Sequence, residues 1–266
     1  MQMFAPQYSI TNKILTGIAS IEAAREVIVN APLVPYWERQ FSEERVVRTV
    51  HYSTALEGNP LSIEDVRKVL GGEQDQVKAY QRDIQEVINY RNVVKYIESI
   101  PNSAKRIDKG HMFEIHKLTV ENVVPEDEKD DYRVLPWGTK SSTTGEVSFV
   151  APEPELVPPM VDDFFAWVDS EEFADTHPIL RSGIILAHVA LIHPFTEGNG
   201  RTARGLATAS LYLDGYDIKK FFCLDEYYDQ NSEGYYQAIQ TYQSEEDNLA
   251  TWLRWISNSA ESRNGS

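Results

Sequence analysis

Apolar residues recur at helical rather than strand spacing along most of the chain. Ile179, Leu180, Ile184, Leu186, Ala187 and Leu191 mark one predicted helix, which Thr176 can cap with Pro178 in its first turn. Gly200 to Leu213, rich in alanine and leucine, predicts a second, and Gly215 is placed to end it. Val77, Tyr80, Ile84, Val87, Ile88, Val94 and Ile97 predict a third. A fourth runs through Val46, Val47, Val50, Thr54 and Leu56, with Ser42 as its cap and Gly58 before Asn59-Pro60 as its end. NLATWLRW, residues 248–255, predicts a closing core helix. The pattern breaks at 131–154, where short β-prone runs flank a Ser/Thr/Gly turn and predict a hairpin in a mainly α fold.

Composition narrows the function classes only a little. A chain of 266 residues can bury a sizeable core as one domain or two, and no repeat or low-complexity linker divides it. A net charge of −16 argues against a broad nucleic-acid-binding face. Cys223 alone cannot form an internal disulfide, and Cys/His metal clusters are absent from the sequence. No apolar run approaches bilayer length and the start lacks a signal-peptide pattern, so a cytoplasmic protein without a membrane partner is expected. Neither GxxxxGK(S/T) nor a GxGxxG after a strand occurs, which sets aside P-loop and Rossmann nucleotide chemistry.

Residues 193–204, HPFTEGNGRTAR, concentrate the chemistry. Gly198, Asn199 and Gly200 fall at a predicted helix N-terminus, where backbone N–H groups and the helix dipole attract anions and glycine lets a ligand approach. Arg201 and Arg204, at i and i+3, offer guanidinium forks to phosphate oxygens. Glu197 is a hard oxygen ligand of the kind Mg²⁺ takes, and His193 can accept a proton near neutral pH. Together they suit a polyphosphate held on Mg²⁺.

The string resembles, position for position, the signature HxFx(D/E)GNGRxxR of the Fic (Fic/Doc) family, whose typical members are protein adenylyltransferases. The resemblance implies a single Fic-type unit over 1–266, a mainly α helical bundle with a short β-hairpin flap. Its parts would be N-terminal helices 1–105, a core 106–215 with the flap 131–154, and C-terminal helices 216–266. It implies His193 as the base for a target Ser, Thr or Tyr hydroxyl attacking the α-phosphorus of ATP, and Glu197 as the Mg²⁺ ligand, with Mn²⁺ as an alternative. Gly198 to Gly200 would form the anion hole, and Arg201 and Arg204 would clamp the β- and γ-phosphates.

Upstream, Ser53, Glu57 and Gly58 in STALEGN resemble the family's inhibitory pattern (S/T)xxxE(G/N), on a helix expected over 43–58. The resemblance implies that Glu57 pairs with Arg204 in the same chain and keeps the γ-phosphate from its productive position. The flap is implied to register a target's backbone by strand addition; Arg133 and Trp137 resemble flap positions without an assigned chemistry. Tyr236, Ile239 and Gln243 resemble the adenine-lining helix, with Ile239 and Gln243 replacing the usual leucine and asparagine. The activity implied is AMP transfer from Mg·ATP to a protein, autoinhibited in cis. Self-modification and a homodimer that hides or frees the inhibitory helix are compatible with it. AMP removal at the same site, transfer of another phosphate-containing group, and a non-catalytic nucleotide sensor are the competing readings.

Overall fold

The structure, a computed structural model, describes residues 4–32, 34–126, 129, 131–140, 147–220, 223–242 and 249–258. Its centre is helix α8 (Pro178–Ile192), where Ile184, Ile185, Leu186, Ala187 and Val189 are all buried, so that the helix is apolar all round. Against it lies α9 (Asn199–Leu213), whose buried Ala203, Gly205, Ala207 and Ala209 allow close approach. A Cβ on Gly205 would stand 3.0 Å from Ile115 of α5 (Lys109–Val120), which flanks α9 together with α4 (Gln81–Ser99).

Helix α2 (Pro35–Ala55) crosses α4 and the short α10 (Leu224–Gln230), and α3 (Ile63–Leu70) packs beside α2 and α4. Helix α1 (Asn12–Asn30) meets α12 (Ala250–Asn258), and α12 also closes on α8, next to α11 (Ser232–Thr241). That closure requires Gly183: a Cβ there would lie 2.8 Å from Leu253 Cδ2, and its carbonyl accepts from the fully buried Trp252 indole at 2.6 Å. Helices α6 (Val157–Val168) and α7 (Glu171–Asp175) complete the core beside α8.

The mainly α fold with a short hairpin expected from the periodicity is the fold observed. Several ends differ. Helix α2 starts at Pro35 rather than behind Ser42, because Pro35 sets φ in the first turn and residues 36–42 contain no glycine or proline to stop it. It ends at Ala55, so Glu57 lies in the turn beyond it and Gly58, at φ +89°, takes the left-handed conformation. Thr176 belongs to the end of α7, donating to the Glu172 carbonyl at 2.8 Å; α8 is capped instead by His177 Nδ1, which accepts from the Ile179 N–H. Val77 and Tyr80 precede α4, and Tyr80 is exposed.

The hairpin consists of β1 (Gly138–Lys140) and β2 (Val147–Val150), antiparallel, with Gly138 opposite Val150 and Thr139 opposite Phe149. The Ser/Thr/Gly turn at 141–146 lies outside the described residues. No described helix is long and apolar enough to cross a membrane.

Candidate active site

Helix α8 ends where His193 turns into the left-handed region, at φ +50° and ψ +60°, its N–H still bonded to the Val189 carbonyl at 3.1 Å. A histidine in that region is strained, and the strain must be held by its surroundings. Arg133 does this. Its Nε donates to the His193 carbonyl at 2.6 Å and its Nη2 to the Ile192 carbonyl at 3.4 Å, and its backbone N–H donates to the Pro194 carbonyl at 2.9 Å. The same side chain donates to the Leu135 and Pro152 carbonyls, so one buried guanidinium joins both legs of the hairpin to the end of α8.

The His193 ring is stacked under Trp137, with centroids 3.6 Å apart, and faces the edge of Phe149 at 6.1 Å. This burial, with the nearby charge of Arg133, pushes its pKa down to about 4, so the imidazole is neutral at pH 7. Its Nδ1 lies 3.4 Å from the Ala190 carbonyl; a proton on Nδ1 leaves Nε2 as the acceptor.

The loop to α9 is braced from inside. Asn199 turns its amide back onto Phe195, accepting from its N–H at 2.9 Å and donating to its carbonyl at 2.8 Å, while the Phe195 ring stacks on His116. Asn199 thus shapes the loop with its side chain and can offer an anion its backbone. Gly198 occupies the N-cap position at φ +78°, and a Cβ there would stand 2.9 Å from Val120 Cγ1. No side chain caps α9, which leaves its first turn as an anion-attracting helix end.

The two arginines of the signature face different flanks. Arg204 is fully buried: Nη1 donates to Glu57 Oε1 at 2.9 Å, Nη2 to the Ser53 carbonyl at 2.8 Å, and Nε is shared by Ser53 Oγ and Asp225 Oδ1 at 3.1 Å each. Burial raises the Asp225 carboxyl pKa and Arg204 opposes the rise. Arg201, also buried, sits 3.7 Å from both Glu86 and Glu197, and its Nε and Nη1 have no hydrogen-bond partner among the described residues. Arg82, in the first turn of α4, forms an ion pair with Glu197 and approaches Glu86 at 3.4 Å.

A cavity of about 470 Å³ opens between these parts, a volume that suits a small-molecule ligand. His193, Glu197, Gly198 to Gly200, Arg204 and Glu57 line it, together with Trp137, Tyr236 and Ile239. Ser53 and Arg201 lie behind the wall, and Gly58 only shapes the turn that presents Glu57. Tyr236 donates to the Leu56 carbonyl at 2.8 Å; Gln243 lies outside the described residues, and Gln240 reaches the cavity. A Cβ on Gly200 would overlap the Glu57 carboxylate and stand 3.1 Å from Arg204 Nη1. Asp225, Glu86 and Arg82 escape a reading of the motifs. The i, i+4 spacing of Arg82 and Glu86 hints at a pair, but nothing near Asp225 in sequence points to Arg204.

Residues 106–211 match the family described as Fic/DOC. That stretch resembles a Fic domain. The chain is 25% identical over 226 residues to the protein adenylyltransferase Fic of Nematostella vectensis, covering 84% of this chain and 51% of that protein. To the protein adenylyltransferase fic-1 of Caenorhabditis elegans it is 26% identical over 181 residues, covering 67% of this chain and 34% of the relative. It therefore spans about half or less of these relatives' length. The crystal structure of a Fic family protein from Desulfovibrio desulfuricans superposes with a TM-score of 0.80 at 25% identity, over 97% of this chain and 75% of that one. Fic-1 from C. elegans, at 23% identity and a TM-score of 0.72, shares the fold over 93% of this chain and 69% of that one.

Proposed function

We propose that this Fic-like domain transfers AMP from ATP to a Ser, Thr or Tyr hydroxyl of a protein, and that Glu57 holds it inactive. The observation that carries the reading is the position of the Glu57 carboxylate. It sits on Arg204 Nη1, over Gly200 at the uncapped start of α9, in the cavity that His193 lines. A carboxylate in an anion-attracting seat marks where a phosphate oxygen of the nucleotide would go. The names of the two adenylyltransferase relatives support the same chemistry.

The residues present fit a magnesium nucleotide. Arg201 keeps buried guanidinium N–H groups without hydrogen-bond partners among the described residues, and the first turn of α9 has no side-chain cap, which leaves its backbone N–H groups for phosphate. No group of three or more His, Cys, Asp or Glu among the described residues could hold a metal alone, so Glu197 would be the protein's single carboxylate, the usual manner of holding Mg²⁺ with phosphates. When bound, the cation would neutralise charge on the phosphates and orient them.

Neutral His193 Nε2 takes the proton of the target hydroxyl as that oxygen bonds to the α-phosphorus; the bond to the bridging oxygen breaks and pyrophosphate leaves with the electron pair. The α9 backbone and Arg204 stabilise the charge, and Asp225 with Ser53 fixes the guanidinium from behind. Exposed Val150 of β2, with exposed Val134 and Leu135 in the segment leading to β1, offers the target an apolar face along the hairpin.

Incubation of wild-type, Glu57→Gly and Glu57→Gly/His193→Ala proteins with Mg²⁺ and α-labelled ATP tests the reading. Label is expected on the Glu57→Gly protein, with a loss of about 10² to 10⁴ in rate in the double variant. An unlabelled Glu57→Gly protein would contradict AMP transfer. The cavity also places Glu57 beside the base, which suits a carboxylate orienting water for AMP removal; release of AMP from a labelled protein by wild type but not by Glu57→Gly would select that reading.

A further inference from the structure

The carboxylate assigned to the cation is already occupied. Arg82 Nη2 is paired with Glu197 Oε1, and Arg201 Nη2 lies 3.7 Å from the same oxygen. Glu86 faces both arginines, 3.4 Å from Arg82 Nε and 3.7 Å from Arg201 Nη1. Two cations and two anions therefore alternate beside the cavity wall and balance. The two arginines differ in freedom: Arg201 is buried, whereas the Arg82 side chain is more than half exposed. Arg82 also stands in the first turn of α4, where the helix dipole disfavours a cation, so its place there depends on Glu197 and Glu86 rather than on its own helix.

From this geometry we propose that Arg82 gates the cation position and sets the protein's divalent-metal requirement. A dication arriving at Glu197 with Arg82 in place would put a further two positive charges against a carboxylate that two guanidinium groups already neutralise. Arg82 must leave first. Glu86 receives it, since Nε already approaches that carboxylate, so the exchange swaps one ion pair for another and strands no buried charge. Arg82 thus acts on the cation side of the cavity as Glu57 does on the Arg204 side: each covers a group that the nucleotide complex would use, and each is on an element other than the signature loop.

The proposal rests on the assignment of Glu197 to the cation, and the test separates the two. In the Glu57→Gly background, saturated with an α,β-non-hydrolysable ATP analogue, Mn²⁺ is titrated and free Mn²⁺ read by electron paramagnetic resonance. Arg82→Gln is expected to bind Mn²⁺ about two- to fivefold tighter, the range an exposed ion pair commands. Arg67→Gln on α3, which removes the same charge from an exposed pair with Glu44 of α2, is expected to leave the affinity unchanged. Glu197→Gln is expected to weaken Mn²⁺ binding clearly. Affinity in Arg82→Gln equal to or weaker than its parent's, or tightened equally by Arg67→Gln, would overturn the gate while leaving Glu197 as ligand. Undiminished Mn²⁺ binding by Glu197→Gln would remove the cation assignment and the gate with it.

Discussion

At the scale of single residues, His193 and Arg204 are both set by what encloses them. A histidine pKa near 4 means that the free protein keeps its base deprotonated well below the ordinary range. In the Glu57→Gly variant the acid limb of kcat/KM is accordingly expected nearer pH 4 than pH 6.5; a limb at the ordinary histidine value would show that Trp137 does not enclose the ring in solution. Arg204 has two carboxylate partners of unequal weight. Asp225 is buried and Glu57 is partly exposed, at 5% and 29% side-chain exposure. Removing Asp225 leaves a buried guanidinium short of an anion, so Asp225→Ala is expected to cost about 3 kcal/mol in urea unfolding, against about 1 kcal/mol or less for Glu57→Gly. Equal losses would contradict the division between an anchoring carboxylate and a removable one. The types in HPFTEGNGRTAR were legible in the sequence; the stacking, the burial and Asp225 were not, because their partners are supplied by other elements.

At the scale of elements, the site is a junction. Helix α8 delivers His193 at its C-terminus and α9 begins six residues later, at Asn199, with Gly198 as the left-handed hinge between them. Arg133 ties the hairpin to that junction, so the flap is anchored directly to His193. The start of α9 is also where Glu57 arrives from the end of α2, and Gly200 is the contact. Gly200→Ala adds a methyl in a helical position that tolerates alanine, but directs it into the space that the Glu57 carboxylate fills. In the Glu57→Gly background that variant is expected to lower labelling at least tenfold, with thermal stability unchanged or slightly raised. Full activity would mean that phosphate does not use the seat above Gly200. The periodicity placed these helices but misjudged the start of α2 and the cap of α8. A serine or threonine reads as a cap in sequence, but a helix runs on through it when backbone and packing allow, as at Ser42.

At the scale of the whole molecule, two histidines on the central helix and its end couple folding to pH. Burial pushes His188 down to about 3, and His193 to about 4, whereas both would titrate near 6.5 in the unfolded chain. Between those values the unfolded state binds more protons, so stability is full above pH 6.5 and falls as the pH drops toward 4. The urea midpoint is therefore expected to be clearly lower at pH 5 than at pH 7.5, and a flat profile would exclude buried neutral histidines. The sequence by itself determined the helical class, the position of the hairpin and the chemical groups of the loop, because those depend on periodicity, turn residues and side-chain types that act over a few positions. The Glu57–Arg204 pair that the upstream motif implied is present, but tertiary structure alone decided the partners that no motif names: Asp225 on Arg204, Arg82 on Glu197, and Glu86 beside Arg201. Ion pairs between elements carry no sequence spacing of their own, and in a chain with 41 acidic and 25 basic residues many pairings are open until packing of α2, α4, α9 and α10 selects among them.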